Sequence, residues 1–195
     1  RAQQHQAVAS DLYRGGVVYH QHAAINPAKW VFGLHRAAVD HGALIQGNTA
    51  VLGLQKSPHG YLVNTVRGMV KAGKVLLATN GYTPPQMAAL HRRVFPVPSF
   101  IITTENLGRE RIKQLFPSDM MVVESRARHC YYRPSPDKTR IVFGARAALF
   151  DAPETFAMGQ LRKLLGQVFP QLGQIDISHS WRGFTGFSFE FMPHV

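Results

Sequence analysis

Three stretches of the chain carry residues able to do chemistry. The first is Thr79-Asn80-Gly81, which closes the run Lys74 to Thr83, KVLLATNGYT. Its apolar part, Val75-Leu76-Leu77-Ala78, reads as a strand of a covered parallel sheet. Ligands of such sheets sit where the strands end and the chain turns, so a cofactor phosphate or ribose could meet backbone at 79–81. The second stretch is Tyr131-Tyr132-Arg133, two phenols and a guanidinium in consecutive positions. On a strand, alternation sends only one of the two tyrosines to a given face, and the sequence leaves open which. Arg126, Arg128 and Arg133 together suit an acidic substrate or a solvated sheet face. The third stretch is Trp181-Arg182-Gly183, followed by Phe184, Phe187, Phe189 and Phe191, which read as an apolar substrate wall or as core.

The missing motifs narrow the chemistry. There is no G-x-G-x-x-G and no G-x-x-x-x-G-K-[ST], the backbone cradles that hold phosphates. No Ser-His-Asp or paired-carboxylate arrangement stands out. His20 and His22 share one strand face without a third ligand at a telling spacing, so no metal is expected. Cys130 has no assigned base and reads as a buried, inert thiol.

The chain has 195 residues, 45% hydrophobic and 17% charged, a globular composition. No apolar run approaches the roughly 18 residues that span a bilayer, and no signal peptide is visible. A single cysteine excludes an internal disulfide and fits a reducing cytoplasm. Residue 1 is Arg rather than Met, as in a fragment. The net charge of +11 suits an anionic partner such as a dinucleotide, an acidic substrate or nucleic acid. It is dispersed, with no Lys/Arg run of five or more, which weighs against nucleic acid.

These residues need elements to position them. Val17 to Gln21 reads as a strand. Asn26 is placed to cap a helix that starts at Pro27, with Trp30, Leu34, Ala37, Ala38 and His41 in a stripe and Gly42 at its end. Ala43 to Gln46 reads as a parallel strand. Thr49–Gln55, Tyr61–Val66 and Met69–Ala72, separated by turn residues, form a three-stranded meander, and Lys74 to Thr79 follows as a buried strand. A short helix runs from Thr83 to about Leu90. Past Pro98 the pattern changes: a strand over 99–104, a helix over 107–116, strands over 121–124, 129–133 and 140–143, a helix from Pro153 to Phe169 with Ala157, Leu161, Leu164, Leu165 and Val168 inward, and a strand over 175–180.

Taken together, Ile25-Asn26-Pro27, Gly42-Ala43 with Thr49-Ala50-Val51, and Thr65-Val66-Arg67-Gly68 before the Lys74–Thr83 run form an ordered set. It continues with Ile102-Thr103-Thr104-Glu105, Tyr131-Tyr132-Arg133, Arg140-Ile141-Val142-Phe143-Gly144, Trp181-Arg182-Gly183 and Met192-Pro193. In order and spacing the chain resembles the FAD-dependent oxidoreductases of the D-amino-acid oxidase and glycine oxidase type, in the branch containing gamma-glutamylputrescine oxidase. The resemblance implies α/β plus α+β architecture: the middle of a glutathione-reductase-like FAD domain (helix, parallel strands, three-stranded meander) joined to an antiparallel-sheet substrate domain. Residues 1–19 would end a substrate-domain segment, 20–94 form an FAD-domain segment, 95–183 the substrate-binding domain, and 184–195 begin the return to the FAD domain. The Gly-rich βαβ unit and the Gly-rich flavin loop of the family would lie before residue 1 and after residue 195, leaving an internal fragment that does not hold FAD alone.

The resemblance also implies roles. Val51 would lie along the adenine, and Thr79, Asn80 and Gly81 along the ribose and pyrophosphate, with Gly81 permitting close backbone approach. One of Tyr131 and Tyr132 would face the flavin, with Arg133 and Trp181 nearby. Amino-acid oxidases of this type place an arginine a few residues after W-x-G to grip the substrate carboxylate. Here Phe184-Thr185-Gly186-Phe187 follows, and Arg182 stands at the wrong offset. The expected substrate is therefore a small amine or N-substituted amino compound rather than a simple α-amino acid. The expected reaction is oxidation of a C–N bond to an imine, with FAD as cofactor and hydrogen peroxide formed if oxygen is the acceptor. The alternative is a non-catalytic basic binding module or scaffold, with nucleic acid as the ligand; steep loss of binding with salt would mark it.

Overall fold

A computed structural model describes residues 3–146 and 150–190. The chain divides into two compact units, Arg1–Ala24 with Pro98–Gly183, and Ile25–Val97 with Phe184–Val195. It crosses from one to the other within strand β4 (Val94–Thr104) and again within β8 (Ile177–Ser188).

The first unit is an α+β layer pair. Its sheet has the order β5 (Val122–Val123), β6 (Tyr131–Pro134), β7 (Ile141–Ala145), β4, β8. β4, β7, β6 and β5 pair antiparallel in succession, with Tyr132 opposite Phe143 and Phe143 opposite Ile102. Period-2 alternation assigns the faces. Phe100, Ile102 and Thr104 of β4 are buried, as are Tyr132 and the Ile141, Phe143 and Ala145 set of β7. Helices α3 (Arg109–Leu115) and α4 (Glu154–Val168) add Ile112, Leu115, Ala157, Leu161, Leu165 and Val168 to the same cluster. The expected stripe of α4 is thus buried, with Leu164 at its edge. The other face, with Ser99, Ile101, Thr103, Tyr131 and Arg133, is half-buried.

The second unit holds helix α1 (Pro27–Asp40) and the meander β1 (Val51–Ser57), β2 (Gly60–Thr65), β3 (Gly68–Ala72), antiparallel throughout. Asn26 caps α1 as the sequence indicates, its Oδ1 accepting from Lys29 N at 3.2 Å, and Pro27 takes the first turn. The 3-10 turn Asn80–Tyr82 and the four-residue helix α2 (Ala88–His91) lead into β4.

Three strand expectations fail. Residues 17–21 of the first unit and 43–46 and 74–79 of the second join no sheet among the described residues, so the parallel strands expected at 43–46 and 74–79 are not present there. Apolarity alone does not make a strand: the backbone needs at least one partner strand to hydrogen-bond to, and among the described residues these segments have none. Leu44 is 100% and Leu76 92% exposed. The α1 stripe forms as a helix, but Trp30 and Leu34 stay exposed, as does Phe32 at 73%. Every member of the buried hydrophobic core lies in the first unit; among the described residues of the second, only Thr83 is buried.

Candidate functional site

The 79–83 turn lies within the second unit and is tied to its 184–186 segment. Asn80 has φ +50°, a left-handed geometry that asparagine tolerates. That geometry aims its Oδ1 at Gly186 N, which donates at 2.6 Å. Phe184 N donates to Tyr82 Oη at 3.1 Å, and the two rings meet edge to face at 5.7 Å. Thr79 and Thr83 hydroxyls pair at 2.7 Å, and Thr83 Oγ1 also donates to Asn80 O at 2.9 Å. A β-carbon on Gly81 would sit 3.0 Å from Gly186 N and from Phe184 C and Cβ; one on Gly186 would sit 2.7 Å from Val94 Cγ1 and 2.8 Å from Gly81 N. The close approach at Gly81 is therefore made by the chain's own return segment.

These observations bear on how FAD would fit. The side-chain oxygens of Thr79 and Asn80 already have partners, and Gly81 is covered on the side a Cβ would occupy. What the turn presents outward is backbone and an exposed Asn80 edge, and Val51 stands exposed at the start of β1. The turn therefore offers a nucleotide backbone and one exposed amide edge, and it forms no phosphate cradle.

The first unit carries the other candidates. Tyr132 points into the core, with ring centroids 5.4 Å from Phe143, 5.7 Å from Phe169 and 5.9 Å from Phe116. Tyr131 and Arg133 stand on the opposite, open face. The Tyr131 ring lies over Gly144 of β7 and its hydroxyl is hydrogen-bonded to Ser99 of β4. Two strands from Arg133, Thr103 Oγ1 meets Ser178 Oγ at 3.1 Å and His179 Nδ1 at 3.4 Å. Trp181 is half-exposed on β8. Arg182 donates to the Asp151 carboxylate and to Ala152 O at 3.4 Å. Phe184 packs on Tyr82, Phe187 stacks on Phe95 at 6.1 Å and Phe189 is exposed; Phe191, Met192 and Pro193 lie outside the described residues.

Beneath the open face is a buried polar cluster that sequence reading missed. Glu124, fully enclosed, receives a two-pronged grip from Arg126 at 2.6 and 2.8 Å and the Tyr13 hydroxyl. Tyr13 and Tyr132 hydroxyls meet at 2.6 Å. Burial raises both phenols above their ordinary range, as do the adjoining Tyr132 for Tyr13 and the Glu124 charge for both. The Glu124 bond raises Arg126. Burial, with Glu124 close by, pushes the Cys130 thiol up to about 12, which makes it inert at neutral pH. The only sequence signal for this cluster was a charged residue ending an apolar strand. Ser99 and Gly144 were equally silent as site residues, though β-alternation places Ser99 on the Tyr131 face.

No helix of the described residues is long and apolar enough to cross a membrane, and no group of three or more His, Cys, Asp or Glu there could hold a metal.

Comparison with known proteins agrees over the length of the chain. The family described as FAD dependent oxidoreductase matches residues 1–195. The probable oxidoreductase OrdL of Haemophilus influenzae is 30% identical over 193 residues, 97% of this chain and 44% of that protein. The gamma-glutamylputrescine oxidoreductase of Escherichia coli is 30% identical over 182 residues, 90% of this chain and 41% of that protein. Glycine oxidase from Geobacillus kaustophilus superposes with a TM-score of 0.65 at 19% identity, over 84% of this chain and 43% of that one, a likeness of fold. The chain thus spans less than half the length of the relatives it matches. With that match across all 195 residues, the chain belongs to the FAD dependent oxidoreductase family.

Proposed function

We propose that this chain is the middle of an FAD-dependent amine oxidoreductase that converts a C–N bond to an imine, with a substrate of the gamma-glutamylputrescine kind. The observation that carries the reading is the family match over residues 1–195. In this reading Ile25–Val97 with Phe184–Val195 belongs to a glutathione-reductase-like FAD domain, and Arg1–Ala24 with Pro98–Gly183 is the substrate domain. The exposed Trp30, Phe32, Leu44 and Leu76 are then surfaces covered by family segments outside this chain, and 17–21, 43–46 and 74–79 take their strand form only against those segments.

When bound, FAD supplies the two-electron acceptor. Val51, Thr79, Asn80 and Gly81 flank it along adenine and ribose. Tyr131, Arg133 and Trp181 form the substrate side, Tyr131 offering its hydroxyl and Arg133 its charge; Tyr132 supports them from the core. The substrate class rests on Arg182, which is engaged by Asp151. It is therefore not offered to an α-carboxylate, and no arginine follows among 183–190.

The test is made on the intact protein. It should purify yellow, release FAD on denaturation, and turn over gamma-glutamylputrescine faster than glycine or proline. A colourless intact protein would refute the cofactor reading. A yellow protein that prefers glycine would refute the substrate class alone.

A further inference from the structure

We propose that Gly144 and Ser99 are positioning residues for Tyr131: together they lay its ring across β7 and hold its hydroxyl at one place on the open face of the sheet. The inference rests on the reading above, in which that face is the substrate side.

Tyr131 is directly opposite Gly144, and Gly144 is opposite Ile101. A β-carbon on Gly144 would stand 2.5 Å from Tyr131 Cζ and 2.8 Å from Oη, and closer still to Cε2. The ring therefore does not rise from the sheet beside its neighbours. It lies along the sheet in the gap that glycine leaves, and its hydroxyl reaches β4, where Ser99 Oγ bonds it. Gly144 has no left-handed φ, so its backbone does not call for glycine. A glycine inside a strand weakens it and marks a close approach; here the approaching group is the Tyr131 ring. Core packing does not explain the arrangement either. The core has its own tyrosine, Tyr132, on the other face, while Tyr131 stays partly open beside Arg133.

Two constraints then act on one phenol. Gly144 sets the tilt of the ring and Ser99 the direction of the hydroxyl's hydrogen bond. With Ser99 donating to Oη, the Tyr131 proton is free to point outward to an amine nitrogen. With Ser99 accepting, the phenol oxygen faces outward as an acceptor for an ammonium N–H. Either way, a substrate amine meets the hydroxyl at a place chosen by residues it does not touch.

Two readouts in the intact holoenzyme test this. The first is placement: nitration of Tyr131 by tetranitromethane, mapped by mass spectrometry. Gly144→Ala should raise its rate several-fold, because the displaced group is the free end of a side chain and can swing outward while the fold persists. The second is coupling in kcat/KM for gamma-glutamylputrescine. Gly144→Ala should lower it about tenfold, as a misplaced contact group does, but less than about twofold when Tyr131 is already Ala, because independent sites would simply add. Ser99→Ala should cost about fivefold, one hydrogen bond. Ser99→Thr, which keeps the hydroxyl, should restore it, and Ser99→Ala should add nothing to Tyr131→Phe. Unchanged nitration in both Gly144→Ala and Ser99→Ala overturns the inference. So does equal loss with and without the Tyr131 ring. Either result in a yellow, amine-oxidising enzyme leaves the proposed function standing; a protein without flavin or amine turnover removes both.

Discussion

Removing either partner of the Glu124–Arg126 pair should destabilise the protein, and the two removals should be unequal. The Glu124 side chain is 1% exposed and that of Arg126 36%. Truncating one partner of a buried pair costs about 3–5 kcal/mol when the remaining charge stays buried. In Glu124→Ala the remaining charge is Arg126, whose exposed third lets it rehydrate. The loss is then the two-pronged bond and the Tyr13 hydroxyl's acceptor, while the Tyr13–Tyr132 bond at 2.6 Å survives; about 2–3 kcal/mol is expected. In Arg126→Ala the remaining charge is the carboxylate, 1% exposed in the intact pair and left with Tyr13 as its main donor, so the cost should reach about 3–5 kcal/mol. Tyr13→Phe removes one hydroxyl and leaves the ion pair, about 1 kcal/mol. Urea unfolding of the intact protein at pH 7 measures all three. An order with Glu124→Ala at or above Arg126→Ala, or both below about 1 kcal/mol, would refute the claim that burial asymmetry sets the cost.

Two further substitutions probe other parts of the fold. Gly81→Ala places a carbon 3.0 Å from backbone of 184–186, atoms that cannot swing aside; a loss of about 1–3 kcal/mol is expected, the range for overpacking. Limited proteolysis should then cut sooner near 184–190, and an unchanged digest would show that the strap is not held there. Cys130, pushed up to about 12 chiefly by burial, should resist a thiol reagent at pH 8 in the native protein and react fully in urea. Its raised value also fixes a sign: the stabilisation is complete below the ordinary thiol range near about 8.5 and is lost as pH rises toward 12. Cys130→Ala should therefore flatten the alkaline fall in melting temperature, and an unaltered fall would assign it to other groups.

What was legible in the sequence is what local physics dictates. Asn26-Pro27 announces the start of α1 because the cap and the first turn need those residue types. The meander is readable from its turns, and β4 and α4 from periods of two and 3.6 that coincide with their buried faces. What was not legible depends on partners distant in the chain. The choice between Tyr131 and Tyr132 is made by Phe116, Phe143 and Phe169 gathering on one face. Gly81 announces a close approach, but its occupant lies a hundred residues later, at 184–186. The Val75–Ala78 run announces burial without naming the cover. Apolar pattern reports the need for a neighbour; only the fold, or its incompleteness among the described residues, reports whether the neighbour is there.

That distinction separates the two units by what each can do unaided. Folding must offset roughly 1–2 kcal/mol of backbone entropy per ordered residue, chiefly by burying apolar surface at about 25 cal/mol per Å². The first unit has the whole described core to draw on. The second has none, and exposes the large side chains of α1 that should supply it. In the proposed reading the substrate domain thus carries its own stability, and the FAD domain is completed by segments outside this chain. The first unit's core lies on the helix side of the sheet, so Tyr131, Arg133 and Thr103 on the opposite face are not among the residues that hold it together. Change of substrate can then proceed by substitution on that face at small cost to the fold. Gly144 is the exception: it sits on the open face yet is constrained, because any side chain there moves the Tyr131 ring, the group proposed to meet the substrate.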